Sequence, residues 1–171
     1  MNTLLLHICC GPCASGVLPE LIDFSLTGFF YNPNIFPESE HLKRVEGARQ
    51  ICHDLKVPLK EVDAKPSFKD LVGQNIEKPK RCLACYRIRL EKAALYAAQN
   101  NFDYFTTTLL ISPYQYHQEI KEIGEKLAGE YQVNFYYQDF RQQFQKSQAL
   151  AKKFNLYRQK YCGCSYSRKR K

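Results

Sequence analysis

Apolar residues in this 171-residue chain fall into short strand-like runs separated by longer stretches with helical spacing. Residues 4–9, LLLHIC, form an apolar run that breaks at Gly11-Pro12, which reads as a buried strand followed by a turn. A helix is predicted over 13–24 and a second strand over 27–33, ended by Pro33. From 40 to 56, Leu42, Val45, Ile51, Cys52 and Leu55 keep helical spacing, and 59–64 alternates like a third strand. A helix over 82–100 carries Leu90, Ala93, Ala94, Ala97 and Ala98 on its apolar side, and 104–110 is β-branched and aromatic, a fourth strand. Ser112-Pro113 predicts an N-cap and a first helical position, opening a helix to about Tyr131, with a fifth strand over 134–140. This alternation implies a Rossmann-like α/β fold, a parallel sheet of about five strands flanked by helices. In such sheets ligands bind beyond the carboxyl ends of the strands.

The length fits a single domain over 1–171, since domains usually run to about 100–200 residues. Within it, 1–140 reads as the α/β core and 141–171 as a basic C-terminal arm; residues 65–81, rich in Lys and Pro, read as a linker. No apolar run approaches the roughly 18 residues of a membrane span. The opening MNTLLLHICC lacks a basic n-region and a small-residue cleavage site, so a cytoplasmic protein is expected.

The net charge of +8 is segregated. Residues 140–171 hold ten Lys or Arg and no Asp or Glu, whereas 1–139 hold 15 basic and 17 acidic residues. Charge distributed this way reads as a footprint for a phosphate backbone, with Lys152, Lys153, Arg158, Arg168 and Lys169 as candidate contacts. A solubilising basic tail is the plainer alternative. A membrane surface fits less well, because the segment lacks a broad apolar face.

In a reducing compartment, eight cysteines point to metal ligation or redox chemistry rather than structural bridges. Cys9 and Cys10 sit where strand one hands over to a helix, and Cys82-Leu83-Ala84-Cys85 is a C-x-x-C at a helix start. Two pairs make four thiolates, the count for a structural zinc or a [4Fe–4S] cluster, with redox dithiols as a third option. The adjacency of Cys9 and Cys10 is unusual for tetrahedral zinc and favours iron–sulfur. Cys13 reads either as a ligand to a second metal or substrate, or as a thiol at a helix start. Cys162-Gly163-Cys164 is a separate device: a bridge between such close thiols would be strained and easily reduced, suiting electron shuttling, with ligation of a second metal as the alternative. Cys52, on an apolar helix side, reads as a core residue, and so does His7. His41, His53 and His117 carry no functional signal, and Tyr161 and Tyr166 are weak candidates for base stacking.

The segments HICCGPC (7–13), YNPNIFPESEHLKR (31–44), RCLACYRIRLEKAA (81–94), TTTLLISPYQYHQEI (106–120), DFR (139–141) and LYRQKYCGCSYS (156–167) run in order over almost the whole chain. Together they resemble the epoxyqueuosine reductase family QueH. The resemblance implies a cobalamin-independent oxidoreductase acting on tRNA, removing the epoxide oxygen of epoxyqueuosine as water in the last step of making queuosine. It further implies a [4Fe–4S] cluster on Cys9, Cys10, Cys82 and Cys85, with Cys162 and Cys164 as the redox-active pair. A second, mononuclear iron would involve Cys13. Asp139, Tyr31 or water would donate protons, Asn32 and Asn34 would line the site, and a separate electron donor would serve a monomeric enzyme.

The strand order is also similar to ATP-pyrophosphatase domains, including tRNA thiolation enzymes. The phosphate-holding Ser-Gly-Gly-x-Asp-Ser loop of those proteins is replaced here by Cys-Cys-Gly-Pro-Cys, so the fold is expected to be shared and ATP use is not. Two rival functions are a tRNA sulfur-transfer enzyme and a zinc-stabilised RNA-binding module.

Overall fold

The structure is a computed structural model, and it describes residues 1–73 and 76–168. Five parallel strands, β1 (Thr3–His7), β2 (Ser25–Phe30), β3 (Leu59–Glu61), β4 (Tyr104–Thr107) and β5 (Asn134–Phe135), form one sheet in the order β3-β2-β1-β4-β5. β1 is central, and Leu4, Leu5 and Leu6 are fully buried, as expected of a parallel strand covered on both faces. The chain runs outward from β1 through β2 to β3, then crosses to the other side of β1 as β4. The strand order therefore reverses at β1, and the crevice beyond its carboxyl end is where such sheets bind ligands.

Six helices cover the sheet: α1 (Gly11–Val17), α2 (Glu38–Asp54), α3 (Phe68–Val72), α4 (Lys80–Gln99), α5 (His117–Tyr131) and α6 (Phe144–Lys153). No described helix is long and apolar enough to cross a membrane. Small residues let the helices sit close. A Cβ on Gly11 would lie 2.7 Å from the Gly47 carbonyl oxygen, so α1 and α2 cross at a glycine-to-glycine contact. Ala93, Ala94 and Ala97 do the same for α4 over the sheet.

Several boundaries differ from expectation, each for a local reason. The first helix starts at Gly11 and gives way after Val17 to a 3₁₀ turn, Leu18–Leu21, because Pro19 has no amide hydrogen to continue the α ladder. β4 stops at Thr107, whose hydroxyl accepts from the Leu109 amide and turns the chain into a 3₁₀ segment, Thr108–Ile111. Ser112 does accept a bond, from the Tyr114 amide, but it closes a turn, and α5 begins only at His117. β5 is two residues long instead of seven. The segment 65–81 contains α3, fixed by a Ser67–Asp70 capping box, and the start of α4; its residues 74 and 75 lie outside the described residues.

The basic C-terminal region is not a detached arm. α6 packs on α1, with Ser147 and Ala151 fully buried, and 154–167 folds back across the carboxyl edge of the sheet.

Candidate metal centre

β1 ends at His7, and extended Cys10 precedes a helix whose second residue is Pro12. That sharp change of direction gathers three sulfurs: the Sγ atoms of Cys9, Cys10 and Cys13 all lie within 4.8 Å of one another, with Cys9 and Cys10 3.7 Å apart. Cys13 thus stands with the adjacent pair rather than apart from it. At the end of β4, the Thr108 hydroxyl accepts from the Cys9 amide at 3.1 Å and donates to Cys9 Sγ at 3.3 Å. Gln159 Nε2 donates to Cys10 Sγ at 2.9 Å.

The trio is prepared to lose a first proton. Hydrogen bonds from Cys10 and Cys13 hold the Cys9 thiol well below its usual range. Burial pushes Cys10 up, and the bonds Cys13 makes to its two neighbours push it up as well. One thiolate solvated by two thiols suits a soft metal, which would displace the remaining protons.

A cavity of about 690 Å³ opens beside this turn, lined by six cysteines from three segments: Cys9 and Cys13, Cys82 and Cys85, Cys162 and Cys164. Cys82 and Cys85 occupy the first turns of α4, where free backbone N–H groups favour thiolates. Burial raises both of their pKa values in the free thiols. The chemistry of this donor set, all sulfur and partly dehydrated, fits an iron–sulfur centre once the thiols are deprotonated on binding.

Cys162 and Cys164 are free thiols with sulfurs 3.8 Å apart, and no bridge joins them. The hydrogen bond with Cys164, backed by the contact with Ser167 Oγ at 2.9 Å, lowers Cys162 to about 5, while the contact between the two thiols raises Cys164. Cys162 is the exposed, anionic member and Cys164 the buried, protonated one. Gly163 between them has φ +117°, a conformation side chains rarely adopt.

The loop is clamped by residues that sequence reasoning missed. Arg44, 3% exposed, donates to the carbonyls of Tyr161 (2.8 Å) and Cys162 (3.1 Å) and to Glu40 Oε1 (2.8 Å). Tyr157 OH donates to Glu40 Oε2 at 2.7 Å, and the Phe36 amide to the Gly163 carbonyl at 2.8 Å. The signal was present: Arg44 shares the helical face of Ala48 and Ile51, and a charge on an apolar face with Glu40 one turn before it marks a buried pair.

Other expected residues separate into those at the cavity and those away from it. Asn34 lines it, and its Oδ1 is buried without a partner. Asn32 is fully buried, donating to the Ile8 carbonyl at 2.9 Å. Asp139 is not in the cavity lining; it forms a two-pronged ion pair with Arg141 (2.6 and 2.9 Å), which holds its carboxyl down at about 2. Tyr31 is likewise absent from the lining. His7 is a satisfied core histidine, bonded to Thr107 Oγ1 at 2.9 Å and kept neutral, at about 4, by burial and the charge of Arg89. Cys52 is buried in α2, and burial raises it to about 11.

Of the candidate phosphate contacts, Arg158 lies at the cavity, together with Lys160 and Arg81. Lys152 and Lys153 are exposed at the end of α6, and Arg168 is exposed beyond the loop; Lys169 lies outside the described residues. Tyr166 is covered by the Arg81 guanidinium 4.4 Å above its ring. Tyr114, 82% exposed, stands edge-on to Phe144, and both line the cavity.

Comparison with known proteins agrees with this geometry. The family model described as epoxyqueuosine reductase QueH matches residues 4–170. A protein of that name from Dehalococcoides mccartyi is 38% identical, covering 96% of this chain and 91% of its own length. One from Thermotoga maritima is 34% identical, covering 98% and 91%. Among solved structures, the U34-tRNA thiolase NcsA from Methanococcus maripaludis with its [4Fe-4S] cluster superposes with a TM-score of 0.55 at 16% identity, covering 98% of this chain and 61% of that one. That likeness establishes a shared fold.

Removing the clamp leaves Glu40 buried without its partner, so Arg44→Ala is expected to destabilise the protein by about 3–5 kcal/mol in urea unfolding. The depressed Cys162 makes a second prediction. Its carboxamidomethylation, followed by mass spectrometry, should fall to half its plateau rate near pH 5, and Cys164→Ser should move that midpoint upward toward the ordinary thiol value of about 8.5.

Proposed function

The chain belongs to the epoxyqueuosine reductase QueH family, and on that premise we propose that it converts epoxyqueuosine in tRNA to queuosine, using a thiolate-bound iron–sulfur centre. The convergence of six cysteines from three distant segments on one cavity, with Cys10 beside Cys9 and Cys13, carries this reading. Removing the epoxide oxygen as water consumes two electrons and two protons and leaves a carbon–carbon double bond. Cys9, Cys10, Cys82 and Cys85 would hold the cluster, and Cys13 is the residue of the trio left for a mononuclear iron. When bound, these groups would supply single electrons and an open coordination position to polarise the epoxide oxygen.

The chain's own residues supply the rest. The Cys162–Cys164 pair carries the two electrons that one turnover uses and one proton, on Cys164; the second proton would come from water. Giving up the electrons brings the sulfurs from 3.8 Å to the bonded distance of about 2.05 Å, and a separate electron donor would restore the thiols. The loop held by Arg44 keeps the pair beside the cavity. Asn34 Oδ1, buried and unpartnered, is an acceptor for a substrate hydroxyl. Arg81, Arg158 and Lys160 ring the mouth where the nucleotide's flanking phosphates would lie, and exposed Tyr114 offers a face for a base. The reading is of a cytoplasmic monomer working on tRNA.

Anaerobically purified protein is expected to contain iron and sulfide and to convert epoxyqueuosine-bearing tRNA to queuosine with a chemical reductant, measured by nucleoside mass spectrometry. Cys9→Ala or Cys82→Ala should abolish both, whereas a colourless zinc protein without turnover would overturn the proposal. Neutralising Lys152, Lys153, Arg168 and Lys169 should weaken tRNA binding and reduce the slope of log K against log salt by about 0.7–0.9 per lost phosphate contact.

A further inference from the structure

Arg89 is 4% exposed, lies on α4 one turn beyond Cys85, and lines the cavity. Its recorded bonds are two long ones to neutral acceptors: Nε to the Cys85 carbonyl and Nη1 to Asn32 Oδ1, each 3.4 Å. A guanidinium stays protonated under all ordinary conditions and offers five donors, so this is a permanent charge, largely buried yet facing the cavity, with few protein acceptors among the described residues. Among the described residues, arginine–carboxylate pairs engage Arg44, Arg49, Arg87 and Arg141, and not Arg89. The contrast with Arg44 is informative, because that buried arginine is paired with Glu40 as structural charges are.

The groups around Arg89 that can become negative are three sulfurs and the Tyr86 phenol, which burial keeps protonated. Its charge is felt by Cys9 on the first segment, Cys85 on the second and Cys162 on the third, so it acts on all three cysteine-bearing stretches. Asn32, whose amide is held by the Ile8 carbonyl, places an uncharged oxygen beside it where a carboxylate would have neutralised it. The fold therefore keeps this cation free for an anion that arrives with the thiolates.

We propose that Arg89 is the fixed counter-charge of the thiolate centre, stabilising its reduced form and so setting how readily it accepts an electron. This rests on the reading that the cysteines hold an iron–sulfur group. A metal centre ligated by several thiolates is net negative and gains a further negative charge on reduction, so a cation in a dehydrated site raises its potential. Arg89 touches no reacting atom in this role and acts through the centre.

The test is a redox titration followed by electron paramagnetic resonance on wild type, Arg89→Gln, Arg89→Lys and Asn32→Asp, with iron content and melting temperature measured on each. Arg89→Gln keeps hydrogen-bonding capacity but loses the charge, and its midpoint should move to more negative potential. Arg89→Lys should stay near wild type. Asn32→Asp leaves the arginine in place but neutralises its field, and should shift in the same direction as the glutamine variant. It also carries the test alone if Arg89→Gln does not fold. Folded Arg89→Gln that cannot retain iron, beside Arg89→Lys that can, would also support the proposal. Iron-loaded proteins with equal midpoints in wild type, Arg89→Gln and Asn32→Asp would overturn it, as would equal iron loss in the lysine and glutamine variants. Wild-type protein without iron would instead defeat the reading of the preceding section.

Discussion

A single turn of chain governs the site. Between the end of β1 at His7 and the start of α1 at Gly11 the backbone must pass from extended to helical geometry at the point where the strand order reverses. Because Cys10 is still extended and Pro12 already lies in the first helical turn, Cys9, Cys10 and Cys13 are thrown onto one centre. Just past the neighbouring β4, Thr108 fixes Cys9 at both its amide and its sulfur. The remaining sulfurs come to this turn from α4 and from the returning C-terminal segment. The sheet's leucine-filled middle is what makes the edge rigid enough for them to meet.

Most of this architecture was legible in the sequence. Five strand-like runs alternating with helical spacing gave the parallel sheet, since burial on both faces leaves a strong apolar signature. Element ends were less legible. Proline at 19 and the hydroxyls of Thr107 and Ser112 redirect the chain through local bonds that a periodicity does not contain. At the site, cysteine spacing pointed to the segments that line the cavity, while the grouping of Cys13 with Cys9 and Cys10 follows from backbone geometry. Asp139 was one of three proton-donor candidates beside Tyr31 and water, and its ion pair with near neighbour Arg141 is not visible in strand spacing. Glu40 and Arg44 were overlooked because the loop they hold lies more than a hundred residues away: Arg44 donates to the Tyr161 and Cys162 carbonyls, and Glu40 accepts from the Tyr157 hydroxyl.

Charge along the chain told a partial story as well. The excess of Lys and Arg after 140 suggested an arm, but α6 spends its inner face on α1, and Arg158 and Lys160 turn to the cavity mouth. Electrostatics within the pocket is therefore layered: exposed cations at the rim, where salt screens them, and two buried guanidiniums inside, Arg44 paired with Glu40 and Arg89 without a carboxylate among the described residues.

The glycine contact between α1 and α2 couples the two sulfur devices mechanically. Gly47 presses on Gly11 at the cysteine turn, and Arg44, three residues earlier on the same helix, grips the Cys162–Cys164 loop. One stiff rod thus serves as a common mount for both. The distance between the two sets of sulfurs is accordingly written into a helix rather than left to the loops, and any strain that loading imposes on one end must be borne at the other.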